Sequence, residues 1–362
     1  MIRTFSSTIR RKEMDAVLTC MVDEKTGPGE INTRLIQSVK EFTGCDGAVA
    51  FRSPSIALVY AFRALNVESG CVVMISALAP SWQYKAIEEY GCKIMILDVN
   101  ENTGLVDLDA VSEGIKNGGQ ILILHETMGI MPDMESIISC GIPVIEDISH
   151  SFGAVDSCVS EKSSDNDSEK KNQADLSKSK KAGMFGIFSV MGLEEFDTIT
   201  AGGGAVLIAP KRREYAVLKK ISAATPRTDM LPDINSALAL VQIKEFSKNE
   251  QVRKKVFSVY QCSVLSGKSR TFARNPDEGS TIWSFPVILN GSFKDAKLYA
   301  SKNEVEIRLA YEDSVISILD EEKRASLKNA SSLYLRCVLF PLYPRLSSES
   351  IKKIANVIST LP

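Results

Sequence analysis

The sequence predicts an α/β protein built on one large, mostly parallel sheet, followed by a smaller α+β unit. Three observations predict it. Short apolar runs without polar alternation recur along the chain: Ala48-Val49-Ala50-Phe51, Val72-Val73-Met74-Ile75, Ile121-Leu122-Ile123-Leu124 and Pro143-Val144-Ile145. Such runs are strands covered on both faces, as in a parallel sheet. Helical periodicity fills the gaps between them at βαβ spacing. After about residue 267 the order changes to a few strands and a closing helix.

Taken in order, residues 10–22 and 30–43 carry helical apolar spacing, the second through Leu35, Val39 and Phe42, and Gly44 ends it. The strand 48–51 leads into Ser53-Pro54-Ser55, where a capping serine and a proline in the first turn start a helix running to about Leu65. A strand at Val72–Ile75, a helix from Pro80 to Tyr90 and a strand from Lys93 to Val99 come next. A helix from Asp107 to Ile115, a strand from Gln120 to His125 and a short helix from Asp133 to Cys140 lead to Pro143-Val144-Ile145. From about Asp156 to Lys181 the chain is almost wholly Ser, Lys, Asp, Glu and Asn and predicts a disordered surface insertion. Strand character resumes from Met184 to Val190. Ala201-Gly202-Gly203-Gly204 turns into a strand ending at Ile208, and helices follow at 211–223 and from Pro232 to about Ser266. The expected organisation is a large unit at 1–230, a connecting helix at 231–266 and a small unit at 267–362, with strands at Trp283–Leu289 and Cys337–Leu342 and a last helix at Ser347–Ile358.

Composition narrows the function. The chain has 362 residues and a net charge of -2, which disfavours nucleic acid or an anionic membrane as the main partner. Its apolar runs are strand-sized, far short of a membrane span. Met1-Ile2-Arg3-Thr4-Phe5 is followed by polar residues and Arg10-Arg11-Lys12, with no signal-peptide core, so a cytoplasmic protein is expected. Eight cysteines are scattered without a C-x-x-C pair, which predicts buried thiols of a reducing compartment and neither a disulfide frame nor a zinc site.

The stretch Gly141 to Ala154 carries the strongest chemical signal. A buried strand ends in Glu146-Asp147, and His150, one of only two histidines, follows three residues later. Open parallel sheets bind ligands just beyond the carboxyl ends of their strands. A buried carboxylate is costly unless a donor or a cation faces it. A protein donor or a water is therefore expected on Asp147. The second histidine, His125, ends the strand before it and reads as a satisfied core or rim histidine.

The chain resembles the DegT/StrS family of nucleotide-sugar aminotransferases, fold-type-I pyridoxal-phosphate enzymes, almost end to end. Gly153-Ala154, Gly183-Met184-Phe185-Gly186, Gly202-Gly203-Gly204-Ala205-Val206, Leu231-Pro232-Asp233-Ile234-Asn235-Ser236-Ala237-Leu238 and the closing Phe340-Pro341-Leu342-Tyr343-Pro344 carry the resemblance. It implies pyridoxal 5'-phosphate or pyridoxamine phosphate as cofactor, a nucleotide sugar as substrate and a site shared between two chains. Asp147 falls where the family places the carboxylate on the cofactor's ring nitrogen, and His150 where a side chain lies near the ring. Ser53 and Ser55 match a phosphate-binding turn, with Pro54 in place of its glycine, and Ser189 matches a serine facing the phosphate. Trp82 lies near the aromatic that stacks on the ring.

The departures are as informative. The lysine that would form the internal aldimine falls on Asp197, or on Phe196 with the alignment shifted by one, and no lysine occurs from Met184 to Ala209. A carboxylate cannot form a Schiff base. The loop before Pro232 has Thr228 and Met230 where the family carries an asparagine and an arginine. The expectation is a non-catalytic homologue, with no covalent Schiff base, acting as a binding protein or as the partner of an active paralogue in a homodimer or heterodimer. The alternatives are an active pyridoxal- or pyridoxamine-phosphate aminotransferase or dehydratase whose base is His150, Asp197 or Glu194, and a folded protein with no ligand at this place.

Overall fold

The computed structural model describes residues 1–156, 179–272, 274 and 279–362. Most of the expected insertion therefore lies outside the described residues. Its two ends stand side by side: Val155 bridges Lys181, and the Asp156 amide donates to the Lys180 carbonyl at 2.9 Å.

Seven strands form the large sheet: β1 (Gly47–Phe51), β2 (Val72–Ser76), β3 (Lys93–Leu97), β4 (Ile121–His125), β5 (Val144–Asp147), β6 (Phe188–Gly192) and β7 (Ala205–Ala209). Their order is β1-β7-β6-β5-β4-β2-β3. β5 pairs in parallel with both β4 and β6, β2 with β4 and β3, and β7 alone runs against its two neighbours. The helices α1 (Arg11–Val22) and α2 (Glu30–Thr43) precede β1, α3 (Pro54–Ala64), α4 (Ser81–Glu89), α5 (Leu108–Lys116) and α6 (Met134–Ser139) run between the strands β1 to β5, and the helices Arg212–Ser222 and Asp233–Leu265 follow β7. A three-stranded antiparallel sheet, β8 (Phe285–Ile288), β10 (Cys337–Phe340) and β9 (Arg308–Leu309), follows in the order β8-β10-β9. Its core is closed by the far half of the helix Asp233–Leu265 and by the last helix, Ser348–Ser359.

Local chemistry explains the boundaries. Gly44 ends α2 in a left-handed conformation at φ 84° that a side chain would strain. The first turn of α2 has no cap of its own. Instead the buried Asp233 carboxylate accepts from the amides of Gly29, Ile31 and Asn32, which joins α2 to the long helix. Strand character was expected from Met184, but β6 begins only at Phe188. The amides of Gly183, Phe185 and Gly186 are turned onto the Glu146 carboxylate at 2.8, 2.8 and 2.5 Å and cannot join a ladder. Of the cysteines expected to be buried, Cys20, Cys45, Cys92 and Cys337 are, Cys71 and Cys140 are half-buried, and Cys262 stands exposed on the long helix. Cys158 lies outside the described residues.

Candidate active-site cleft

A cleft of about 240 Å³ opens over the carboxyl ends of the parallel strands. It is lined by Leu78, Pro80 and Trp82 after β2, His125, Thr127 and Met128 at the end of β4, Ser149 and His150 after β5, and Glu194, Phe196 and Asp197 after β6. Phe5, Trp283 and the segment Arg308–Ser314 close it from the far side. Every wall but the last comes from a strand end, where the sheet topology places a ligand.

Asp147 does not itself line the cleft: it is fully buried, held against His125 and Ser149, which do line it. Its Oδ2 accepts from Gln83 Nε2 at 2.7 Å and lies 2.8 Å from His125 Nδ1. Its Oδ1 accepts from the Ser149 amide at 3.2 Å and the Ser149 hydroxyl at 2.5 Å. The expected donors are therefore present, and all are protein groups. Burial pushes this carboxyl up, but His125 and the Ser149 hydroxyl outweigh it and hold the carboxyl below its ordinary range. His125 ends β4 directly beside Asp147 in the strand register, so the pair follows from the parallel pairing itself. The histidine is both buried and a wall of the cleft.

Beneath this corner Glu126 and Glu146 are buried together. Glu146 receives three backbone amides, which stabilise its charged form. Burial and the neighbouring Glu146 push the Glu126 carboxyl well above its usual range, which favours its protonated form.

His150 faces the cleft with its ring stacked on Trp283, centroids 3.7 Å apart and planes 14° apart. Its Nδ1 is buried with no partner among the described residues. Burial and His125 push its pKa well below the ordinary value, so the imidazole is neutral. Trp283 is fixed from several sides. Its Nε1 donates to the Phe196 carbonyl at 2.5 Å. The segment before it is tied down by Thr281 N to the Gly129 carbonyl, by Arg274 to the carbonyls of Met128 and Thr281, and by Ile282 N to Glu250.

Asp197 is set differently. Its Oδ2 accepts from the Glu194 amide at 2.8 Å, and its Oδ1 makes no hydrogen bond to the described residues. Burial, with Asp147 and Glu194 nearby, pushes its pKa well above the carboxylate range. A Cβ on Gly192 would stand 2.3 Å from Asp197 Oδ2 and 2.7 Å from Ser149 Oγ, so glycine at 192 makes room for this acid.

The remaining expected residues divide. Trp82 lines the cleft from the first turn of α4. Ser53, Ser55 and Ser189 do not line it. Ser53 caps α3, accepting from the Ile56 amide at 3.2 Å. Ser189 donates to the Gly183 carbonyl at 2.9 Å and is spent there. Gln83 and Trp283 were missed. Gln83 had a signal: it shares the buried face of α4 with Ala86 and Ile87, and an amide on an apolar face needs a partner. Trp283 had none, since nothing local ties it to His150.

The fold and the cleft define an aminotransferase-type α/β scaffold. The model of the DegT/DnrJ/EryC1/StrS aminotransferase family matches residues 7–359, and the chain belongs to that family. It is 21% identical over 356 residues, covering 88% of this chain and 86% of the relative, to the spore coat polysaccharide biosynthesis protein SpsC of Bacillus subtilis (strain 168). The fold is similar to the sugar aminotransferase Spr1654 of Streptococcus pneumoniae in its PLP form, at 17% identity and a TM-score of 0.82, covering 97% of this chain and 96% of that one. It is equally similar to GDP-4-keto-6-deoxymannose-3-dehydratase (ColD), solved as a point mutant with bound GDP-perosamine, at 16% identity and a TM-score of 0.82 over 99% and 100% of the two chains.

The residues present do not fit the cofactor that the family implies. A carboxylate offers roughly four lone-pair sites, and on Asp147 four contacts from Gln83, His125 and Ser149 take them. None is left for a pyridinium. No lysine is among the described residues lining the cleft. At the start of α3, Pro54 has no amide to give and Ser53 is occupied by its own helix. The face of His150 is covered by Trp283.

Proposed function

We propose that this chain keeps the family scaffold without its aldimine chemistry. It acts by holding a sugar-type ligand non-covalently, or as the partner subunit of an active relative, as a homodimer or heterodimer in the cytoplasm. The division at residues 230 and 266 belongs to the same proposal. The observation that carries it is the saturation of Asp147 by the chain's own side chains. The acid at 197, in the place that the resemblance gives to the lysine, supports it from the covalent side.

An absorbance titration with pyridoxal 5'-phosphate, followed by borohydride reduction and peptide mass mapping, tests it. The expected result is no aldimine band and no modified residue lining the cleft. A stoichiometric band, trapped on one residue beside the cleft, would overturn it. A second reading, an active enzyme with a base other than lysine, draws on the neutral His150 and its unpartnered Nδ1. That reading requires Gln83 or His125 to leave Asp147 first, and the same titration separates the two.

A further inference from the structure

We propose that Cys71 and Cys92 form an oxidisable dithiol, a modification site at which a low-molecular-weight disulfide such as oxidised glutathione converts the two thiols into one cross-strand disulfide. The inference stands apart from the reading of the cleft, since neither residue lines it. Three observations carry it.

The first is register. β2 and β3 run in parallel, and their ladder starts with Val72 opposite Lys93. Cys71 and Cys92 are the two residues immediately before that pair. Backbone bonds clamp the segments on either side of them: the Gly70 amide donates to the Gly91 carbonyl at 2.8 Å, and the Lys93 amide to the Cys71 carbonyl at 2.9 Å. Neighbouring strands lie about 4.8 Å apart, within the Cα separation of about 4.4–6.8 Å that a disulfide spans. The second is placement. Both side chains belong to one apolar cluster. Burial, and after it the neighbouring Cys71 thiol, push the Cys92 pKa up, so the two sulfurs feel each other. β3 ends the sheet and has no strand on its outer side, which leaves it free to tilt toward β2 as the bond closes. The third is access. Cys71 is half-buried and Cys92 only 9% exposed. Cys71 therefore meets the reagent, and Cys92 is reached only by its neighbour.

The chemistry balances without any further reactant. The Cys71 thiolate attacks one sulfur of glutathione disulfide, forms a mixed disulfide and releases one glutathione. The Cys92 thiolate then attacks the Cys71 sulfur and displaces the second. Two electrons pass from the protein dithiol to the glutathione disulfide, and the two thiol protons end on the two glutathiones. Burial raises the pKa of both cysteines, so the rate is expected to rise roughly tenfold per pH unit from neutral pH up to the thiol pKa. The ring so closed contains β2 and all of α4, with Trp82 of the cleft wall and Gln83, the donor to Asp147. Oxidation ties this unit to the edge of the sheet.

The experiment incubates the full-length protein with oxidised glutathione, alkylates the remaining free thiols and maps the peptides by mass spectrometry. The expected product joins the Cys71 and Cys92 peptides and reverts with dithiothreitol. Cys92→Ala is expected to stop at a stable glutathione adduct on Cys71, and Cys71→Ser to leave Cys92 unmodified. In urea the oxidised wild type is expected to unfold at a midpoint higher by roughly 0.5 M or more, because the closed loop restricts the unfolded chain. Neither variant should show that rise. The wild-type peptide map decides the matter even where a variant fails to fold. Full alkylation of both thiols after oxidation, pairing of either with another cysteine, or a bridge that forms only in urea overturns the proposal.

Discussion

Asp147, buried behind the cleft, and Asp197, half-buried in its lining, are two carboxylates solved in opposite ways. Asp147 has donors on both oxygens and a depressed pKa. Asp197 has one oxygen engaged and a raised pKa. The first is closed by the protein, and burying it costs little because each lone pair is met. The second is left open toward the cavity. A carboxylate that the fold completes is structural, and one that the fold holds but does not complete is waiting for something else. In this family scaffold the acid the resemblance assigns to the cofactor is the completed one, and the acid in the place of the lysine is the incomplete one.

The largest effect that can break this comparison is at His125. His125→Leu strips Asp147 of its charged-form partner and leaves a buried carboxylate facing an apolar group. The expected loss of stability is about 3–5 kcal/mol, read from urea denaturation at neutral pH. Asp197→Leu, by contrast, is expected to cost less than about 1 kcal/mol, because a poorly paired, half-buried acid is removed. Equal losses at the two sites would erase the distinction. Gly192→Ala comes next. Its new Cβ presses on Asp197 and Ser149 together, and overpacking of this kind costs about 1–3 kcal/mol. Adding Asp197→Ala should restore part of the loss, and strict additivity in the double-mutant cycle would contradict the contact.

The smallest effect is a pH slope. Glu126 and Asp197 have folded pKa values raised above their unfolded ones. Their contribution is full below the unfolded value, near about 4, and is lost as pH rises through the folded value. His150 has a depressed folded pKa, so its contribution is present above about 6.5 and is lost as pH falls through the folded value. Above about pH 6.5 His150 adds no slope, and the raised pKa values of Glu126 and Asp197 make the melting temperature rise as pH falls. Glu126→Gln should flatten that rise, which calorimetry at three pH values would check. An unchanged slope in the variant would place the proton elsewhere.

How far the sequence could be read follows the same division. The buried strands were legible because a run such as Ile121-Leu122-Ile123-Leu124 has no polar face, and β4 occupies those residues. Helix ends were legible where one residue decides them, as Gly44 does for α2. The start of β6 was not, because Met184–Ile187 is apolar enough for a strand, and only the distant Glu146 draws its amides away. In the cleft, Asp147, His150, Trp82 and Asp197 could be picked out from position and resemblance. The partners that decide their chemistry could not. Trp283 reaches His150 from a segment more than a hundred residues downstream, and Gln83 reaches Asp147 from a helix two strands earlier. Ser189 shows the converse: its position in the chain matched, but its hydroxyl turns to the Gly183 carbonyl.

The most direct test is a crystal structure of the full chain soaked with pyridoxal 5'-phosphate. The account predicts Gln83 and His125 still on Asp147 Oδ2, with the indole of Trp283 against His150. A pyridine nitrogen within hydrogen-bond distance of Asp147, with Gln83 swung aside, would contradict it.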